Sequence, residues 1–154
     1  MRILYVSDVF YPRVNGVSTS IATFRASLAD RHVETILVAP AYGHEIADPT
    51  IVRIPSRVIP FDPEDRVMKY RLLKRQLAQL SQQCFDLIHI HTPFAAHYAG
   101  VELAKELKIP VVETYHTFFE EYIHHYVPLL PRGLTASLAR SLSRSQCQAV
   151  DALS

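Results

Sequence analysis

Runs of apolar residues recur along the chain, separated by stretches with a helical or polar pattern. The clearest runs cover residues 2–7, 33–39, 86–91 and 110–114, and none shows the alternation of a strand with one solvent face. A shorter run at 51–54 predicts a peripheral strand. Because continuously apolar strands need cover on both faces, these runs predict a parallel sheet buried between helices.

Apolar residues at helical spacing fill the stretches between these strands. Val17, Ile21, Phe24 and Leu28 predict a helix after the first strand, and another helix is predicted to end near Lys108. Leu134, Leu138 and Leu142 predict a helix over 132–149. Alternating strands and helices predict an α/β fold, a Rossmann-like, doubly wound and mainly parallel sheet with right-handed crossovers. The final "AVDALS" resembles the start of another strand, so we expect a piece of a longer protein.

One more helix is predicted over residues 64–83. Its start, Asp62-Pro63-Glu64-Asp65, combines a capping aspartate, an early proline and acids where the helix dipole favours them. Its apolar stripe is formed by Val67, Tyr70, Leu73, Leu77 and Leu80. Basic residues crowd the first half of the helix: Arg66, Lys69, Arg71, Lys74 and Arg75. Two interpretations stay open, an amphipathic helix on an anionic membrane surface or a solvated face over an ordinary core stripe.

The composition narrows the function classes. The chain has 154 residues, 49% hydrophobic and 20% charged, which fits one globular domain. Its formal net charge of +1 gives no overall field for nucleic acid. Cys84 and Cys147 have neither metal-ligand spacing nor the density of a disulfide framework. Without a signal-peptide pattern or an apolar run of about 20 residues, we expect a cytoplasmic location.

Three loops follow predicted strands, at 8–16, 91–94 and 115–118, and each carries polar or aromatic residues. Ligands of open α/β sheets gather beyond the carboxyl ends of the strands. The first loop ends with Gly16 at a helix start, where backbone amides favour an anion and a missing side chain permits close approach. The surrounding "VNGVS" is neither the dinucleotide fingerprint nor a P-loop, so a plain turn before a helix stays open as well.

The histidines need separate interpretations. His89 and His91 share one face of a strand, but neither they nor His97 are followed by acid or cysteine ligands at a useful spacing, so no metal site is predicted. His116, in "VVETYHTF", stands where a strand ends and is flanked by hydroxyl-bearing residues. An imidazole there can donate to or accept from a ligand's hydroxyl group.

Two segments carry a family resemblance, "MRILYVSDVFYPRVNGVSTSI" and "FDLIHIHTPFAAHYAGVELAKELKIPVVETYHTFFEEY". With their order and spacing, the chain resembles the N-terminal half of a retaining glycosyltransferase of the two-Rossmann-domain (GT-B) type, family four. Within that family it is most similar to bacterial enzymes that glycosylate lipids. The resemblance implies transfer of a hexose from a nucleotide sugar, such as a UDP- or GDP-hexose, to a lipid or glycan acceptor. It implies no further cofactor and a role in glycolipid or cell-envelope biosynthesis.

The resemblance also implies roles for individual residues. His116 matches the histidine at the reaction centre, which contacts the transferred sugar and positions it rather than acting as nucleophile. Asn15, Gly16 and Val17 match the loop that faces the donor diphosphate, although many relatives have two glycines there. The basic helix matches the membrane-surface helix of the lipid-modifying members, which implies peripheral association with the inner face of the cell membrane. The expected acceptor-side rim is Asp8, Tyr11, His91 and Thr117.

The second domain of such enzymes supplies the nucleotide pocket, so this chain alone is expected to be inactive. Two other classes are alternatives to this resemblance. A nicotinamide-dependent oxidoreductase would need G-x-G-x-x-G after the first strand and an acid after the second, and neither is present. A non-catalytic membrane-surface or interaction domain would rely on the basic helix alone.

Overall fold

A computed structural model of the chain describes residues 1–59, 62–116, 141 and 143–153, with only the backbone at 62 and 63. Eight strands and three complete helices lie within these residues. In chain order they are β1 (Arg2–Val6), α1 (Gly16–Ala29), β2 (Glu34–Pro40), β3 (Ile51–Ile54), β4 (Ser56–Ile59), β5 (Asp62–Met68), α2 (Tyr70–Leu80), β6 (Leu87–Ile90), α3 (Ala95–Leu107), β7 (Val111–Glu113) and β8 (Ala152–Leu153).

Six strands form one sheet in the order β3-β2-β1-β6-β7-β8, and every neighbouring pair is parallel. The four long apolar runs are the four inner strands, and the run at 51–54 is an edge strand, as predicted. The short β8 confirms the strand expected near the final residues. This order is that of a Rossmann-like sheet, so the predicted fold class is confirmed.

Helices cover both faces of the sheet because successive residues of each strand point to opposite sides. Ile3 and Tyr5 of β1 point toward α1 and pack in one apolar cluster with Ile21. Leu4 and Val6 point the other way, into a larger cluster that includes buried residues of α2 and α3. No residue in the core of β1 is therefore left facing water, which explains its continuous apolar sequence.

Helix α3 lies unusually close to β6, and Gly100 makes this possible. A Cβ atom added at Gly100 would come within 2.9 Å of side-chain carbons of Ile90. The helix ends at Lys108, whose backbone is left-handed with φ 56° and whose amide bonds to the carbonyl of Ala104. This close packing also holds the N-terminal end of α3 near the carboxyl end of β6.

The helix predicted over 64–83 is wrong in its first part. Residues 62–68 form β5, which pairs antiparallel with β4 in a separate hairpin, and helix begins only at Tyr70. β-Branched Val58 and Val67 favour the extended pairing, and Met68 is buried in the main core. Local helix signals around Pro63 therefore lose to strand pairing and tertiary packing.

This correction changes the basic surface. Arg66 lies on β5 and Lys69 is the N-cap residue of α2, so only Arg71, Lys74 and Arg75 lie on the helix. The apolar stripe of α2 is its buried side, formed by Leu73, Leu77 and Leu80, which pack in the larger core cluster. This stripe therefore provides no apolar face for lipid, because it already packs on the domain's own core.

Two further helices were predicted from the sequence. The helix expected to end near Lys108 does so. Most of the helix expected over 132–149, with its three leucines, lies outside the described residues, although 143–147 are helical. Among the described residues, no helix is long and apolar enough to cross a membrane.

Two adjacent leucines of α2 test the packing of the core. Leu73 is fully buried, whereas Leu72 is 38% exposed. We expect Leu73→Ala to lower the free energy of unfolding by about 2–5 kcal/mol, because the lost side chain leaves a cavity. Leu72→Ala makes the same change in helix propensity and should cost less than about 1 kcal/mol. Chemical denaturation measures both, and equal losses would contradict the assigned burial of α2.

Candidate active-site cleft

A cleft lies at the carboxyl edge of the sheet, where the chain runs from β1 to one side and from β6 to the other. Opposite crossovers open a crevice at such a point, which is where open α/β sheets bind ligands. The cavity there has a volume of about 410 Å³. Its walls come from the loops after β1, β6 and β7 and from the β4–β5 hairpin. The lining includes Asp8, Arg13, Asn15, Val17, Ile59, Asp65, Arg66, Val67, His91, Thr92, Phe94, Tyr115 and His116.

Two histidines from neighbouring strand ends meet in this cleft. The Nδ1 atom of His91, just after β6, lies 3.0 Å from Nε2 of His116, beyond the end of β7. Their rings are nearly parallel, with centroids 5.4 Å apart. His91 is 1% exposed and His116 is partly exposed, so the pair runs from the interior to the cleft surface. Both residues were predicted to lie at the ligand rim, and the structure brings them into contact.

A third histidine extends the pair into the sheet. The ring of His89 lies 4.1 Å from that of His91, centroid to centroid, and its Nε2 is 2.7 Å from Oγ1 of Thr114. Tyr5 of β1 stacks against His91 with centroids 5.0 Å apart. The shared strand face predicted for His89 and His91 is therefore confirmed, and this face is crowded with rings.

Burial keeps these imidazoles neutral. It lowers the pKa of His91 to about 2 and the pKa of His89 to about 4, and repulsion from the neighbouring histidines lowers both to a smaller extent. Burial also lowers the pKa of His116 below its usual value. A neutral imidazole has one N–H donor and one acceptor nitrogen, so each ring can orient a partner without carrying charge.

Asp8 lines the floor of the cleft and is 9% exposed. Its Oδ2 accepts hydrogen bonds from Oγ1 of Thr92 at 2.8 Å and from the amide of Ala96 at 3.1 Å. Phe94, the N-cap residue of α3, gives its helix no side-chain cap. Asp8 reaches from the end of β1 to satisfy amides at the start of α3 instead, so its main role is to join these two elements.

The loop before α1 is ordered by Asn15. Its side-chain oxygen accepts a hydrogen bond from the amide of Ser18 at 2.8 Å, which caps the helix. The amides of Gly16 and Val17 belong to the first turn and have no partner within the helix. A Cβ atom added at Gly16 would meet no atom within 4 Å, so packing within the described chain does not require a glycine here.

The hairpin supplies a wall that the sequence did not predict. Arg13, in the β1–α1 loop, donates from Nε to Oδ1 of Asp65 at 3.0 Å and pairs through Nη1 with Glu64. Arg66 stacks over the ring of Tyr42, with its guanidinium carbon 5.2 Å from the ring centroid. These contacts hold the hairpin against the body of the domain. The hairpin was missed because residues 62–65 match the start of a helix.

Not every predicted site residue reaches the cleft. Tyr11 packs against Phe10 and the core beneath α1, and Thr117 lies outside the described residues. His97 bonds through Nδ1 to Glu113 at 2.9 Å on the opposite face of the sheet from His89, so the three histidines do not converge. In the described portion of the chain, no group of three or more potential metal ligands is found.

The buried carboxyl of Asp8 provides a pH test. Burial raises the pKa of Asp8 to about 6, against the hydrogen bonds from Thr92 and the α3 amides. Because its unfolded pKa is about 3.9, the stability gained from the bound proton is fully present below that value. It is lost as pH rises through about 6, by an amount on the order of 3 kcal/mol.

We therefore expect Asp8→Asn to gain stability relative to the natural protein as the pH rises over this window. Denaturation curves across the window measure the difference between the two proteins, which removes the common contribution of the histidines. Asp30→Asn, at an exposed carboxyl, is the control and should show no such trend. A constant difference for Asp8→Asn would contradict the raised pKa.

Comparison with known proteins identifies the family. The sequence profile of Glycosyltransferase Family 4 matches residues 14–154. The alpha-monoglucosyldiacylglycerol synthase of Streptococcus pneumoniae is 36% identical over 129 residues, which are 81% of this chain and 29% of that protein. The synthase of the same name from Acholeplasma laidlawii is 31% identical over 134 residues, covering 86% of this chain and 34% of its own.

A relative of lower sequence identity belongs to another group of sugar transferases. A GDP-mannose-dependent alpha-mannosyltransferase of Mycobacterium tuberculosis is 28% identical over 147 residues, 88% of this chain and 38% of its own. The chain thus spans about a third of the length of these relatives.

Two solved structures share the fold. UDP-GlcNAc 2-epimerase from Methanocaldococcus jannaschii has a TM-score of 0.54 at 10% identity, and covers 92% of this chain and 37% of its own. The S. aureus MnaA–UDP co-structure has a TM-score of 0.55 at 16% identity, with the same coverage of 92% and 37%. At these identities the likeness concerns the fold alone. The profile match over residues 14–154 establishes that the chain belongs to Glycosyltransferase Family 4.

Proposed function

We propose that the protein carrying this chain transfers a hexose from a nucleotide sugar to a hydroxyl acceptor, with retention at the anomeric carbon. This chain acts as the N-terminal, acceptor-side domain, and a second domain holds the nucleotide. The observation that carries the proposal is the His91–His116 pair at the mouth of a cleft on the ligand edge of the sheet. Family membership supports the reaction class.

His116 is the proposed catalytic residue. Its Nε2 is engaged by His91, so Nδ1 is the ring nitrogen left for a ligand. A neutral imidazole in this position orients a sugar hydroxyl while positive charge develops at the anomeric carbon, and it does so without adding like charge. In a same-face attack the donor phosphate assists removal of the acceptor proton, so His116 positions the sugar and is not the nucleophile.

The loop at the start of α1 is the proposed neighbour of the donor diphosphate. The amides of Gly16 and Val17 point out of the first turn, where the helix dipole favours an anion. The open space around Gly16 supports close approach of phosphate oxygens. Arg13 lines the same cleft, but its guanidinium is paired with Glu64 and Asp65, so the anion contact proposed here rests on the helix amides.

The acceptor proposed here is a lipid. Ile59, Val67 and Phe94 bring apolar surface to the cleft from both walls, and Val67 and Phe94 are 51% and 45% exposed. Such exposed apolar side chains suit the hydrocarbon part of an acceptor, while Arg66 lines the same cleft near its polar part. The two relatives named as monoglucosyldiacylglycerol synthases support this choice.

A substitution that removes only Nδ1 tests whether His116 acts in catalysis or in packing. The side-chain amide of glutamine falls near the position of Nε2, so His116→Gln can keep the bond to His91 while removing Nδ1. In the full-length enzyme we expect kcat to fall on the order of 10²-fold or more for both His116→Gln and His116→Ala. The folded fraction and melting temperature should stay close to those of the natural protein, because the ring is partly exposed.

The control is His44→Gln, at an exposed histidine outside the cleft. Radiolabelled sugar transfer from UDP- and GDP-hexoses to diacylglycerol measures the rates. Near-normal turnover of His116→Gln would rule out a ligand contact at Nδ1. Absence of transfer by the natural enzyme with every donor and acceptor would refute the proposed function itself.

Membrane association is proposed to be electrostatic and peripheral, on the cytoplasmic side. Arg71 and Arg75 lie one turn apart on the exposed side of α2, away from its buried leucines. Lys74 is paired with Glu102 of α3 at 2.5 Å, and Arg66 lies in the hairpin, so neither belongs to the same exposed row. Lys69, at the start of α2, is exposed and continues this surface.

Vesicle binding tests this surface. We expect Arg71→Gln with Arg75→Gln to weaken binding to vesicles containing phosphatidylglycerol by about tenfold or more, since each cation contributes about 1 kcal/mol near such a surface. The loss should shrink as salt is raised. Arg31→Gln with Lys105→Gln removes two exposed cations elsewhere and is the matched control. Equal effects of the two double variants would argue against a specific membrane face.

A further inference from the structure

The environment of His91 is more constrained than a role at the rim requires. The ring of Tyr5 stacks on that of His91, with centroids 5.0 Å apart and an interplanar angle of 14°. The ring of His116 lies at the Nδ1 edge of His91, with centroids 5.4 Å apart and an interplanar angle of 20°. His91 is 1% exposed, and its Nδ1 bonds to His116. Its other nitrogen, Nε2, is fully buried and has no hydrogen-bond partner in the described structure. Substrate therefore reaches His116 more readily than it reaches His91.

A hydrogen bond between two neutral imidazoles fixes both tautomers. One of the two facing nitrogens must carry the proton and the other must present its lone pair. If Nδ1 of His91 donates, its buried Nε2 is only an unused acceptor. If Nδ1 accepts, Nε2 of His91 becomes a buried N–H without an acceptor, which proteins tolerate less readily. The orphaned nitrogen thus favours donation from His91 to His116.

We infer that His91 is a positioning residue, which donates from Nδ1 to Nε2 of His116 and so makes His116 present an N–H donor at Nδ1 to a ligand in the cleft. An N–H donor selects an oxygen with a free lone pair, such as a sugar hydroxyl or a phosphate oxygen. It cannot accept a proton from an attacking hydroxyl group. The catalytic consequence rests on the proposed function, whereas the tautomer itself does not.

The same bond opposes protonation of His116. A proton added to Nε2 of His116 would face the Nδ1–H of His91, and relief would require His91 to move its own proton to the buried Nε2. The other ionisable groups around the pair are Tyr5 and His89 against the ring of His91, Tyr115 beside the pair, Asp8 below it, and Arg13, Asp65 and Arg66 across the cleft. All of these side chains are still present when His91 alone is substituted.

Two amide substitutions separate the bond from the bulk of the ring. Asparagine places its amide near the position of Nδ1, so His91→Asn can still bond to His116. Glutamine places its amide near Nε2, so His91→Gln loses that bond. Because the amide of asparagine can turn its oxygen toward His116, His91→Asn should also let His116 accept a proton at higher pH.

The experiment combines nitrogen NMR with kinetics on the full-length protein. With ¹⁵N-labelled histidine, the natural protein should show the His116 ring protonated at Nδ1 and not at Nε2. His91→Asn should keep kcat within a few fold but move its acid limb to higher pH. His91→Gln should lower kcat by tenfold or more. Part of the His116 population should then carry its proton at Nε2 instead of Nδ1.

Contrary results are equally specific. A His116 ring protonated at Nε2 in the natural protein would overturn the inference without any variant having to fold. Equal kcat and unchanged pH profiles for the two His91 variants would reduce His91 to a packing residue. If no sugar transfer is found at all, the proposed function fails, while the nitrogen spectrum still decides the tautomer.

Discussion

The parallel pairing of β1 with β6 is the constraint on which the rest of the structure depends. It sets Val6 beside Ile90, so the loops that follow these strands leave from adjacent points and turn to opposite sides. The amide and the carboxyl of Asp8 then both meet the hydroxyl of Thr92, across 84 positions of sequence. A cleft at this point follows from topology before any particular side chain is considered.

Asp8 and Thr92 turn this pairing into a fixed site. The carboxylate of Asp8 bonds to the first turn of α3, and Gly100 lets the same helix lie against Ile90. One wall of the cleft is thus held at both ends, by a polar contact at its top and by close packing lower down. The cost is a buried carboxyl, whose raised pKa records that the surroundings disfavour its charge.

Much of this arrangement could be predicted, because the spacing of apolar residues along the sequence shows which faces of an element are buried. Strands with cover on both faces, such as β1 and β6, have continuous apolar sequences, and their order along the chain indicated the parallel sheet. His91 and His116 could be placed at the ligand edge because both stand where such runs end. That they touch depends on the register between β6 and β7, which pairs Ile90 with Glu113 and which no local pattern contains.

The hairpin could not be predicted, because its local sequence favours a helix while its surroundings favour strands. Acids and a proline at 62–65 match a helix start, yet Glu64 and Asp65 instead pair with Arg13 from the loop after β1. Such partly exposed ion pairs contribute little by themselves. Strand pairing and the burial of Met68 contribute more, and the ion pairs fix the position of the hairpin relative to the loop after β1. The result is a cleft whose histidines lie at the ends of sheet strands, whereas its far wall belongs to a separate hairpin that is held by one buried methionine and oriented by charge.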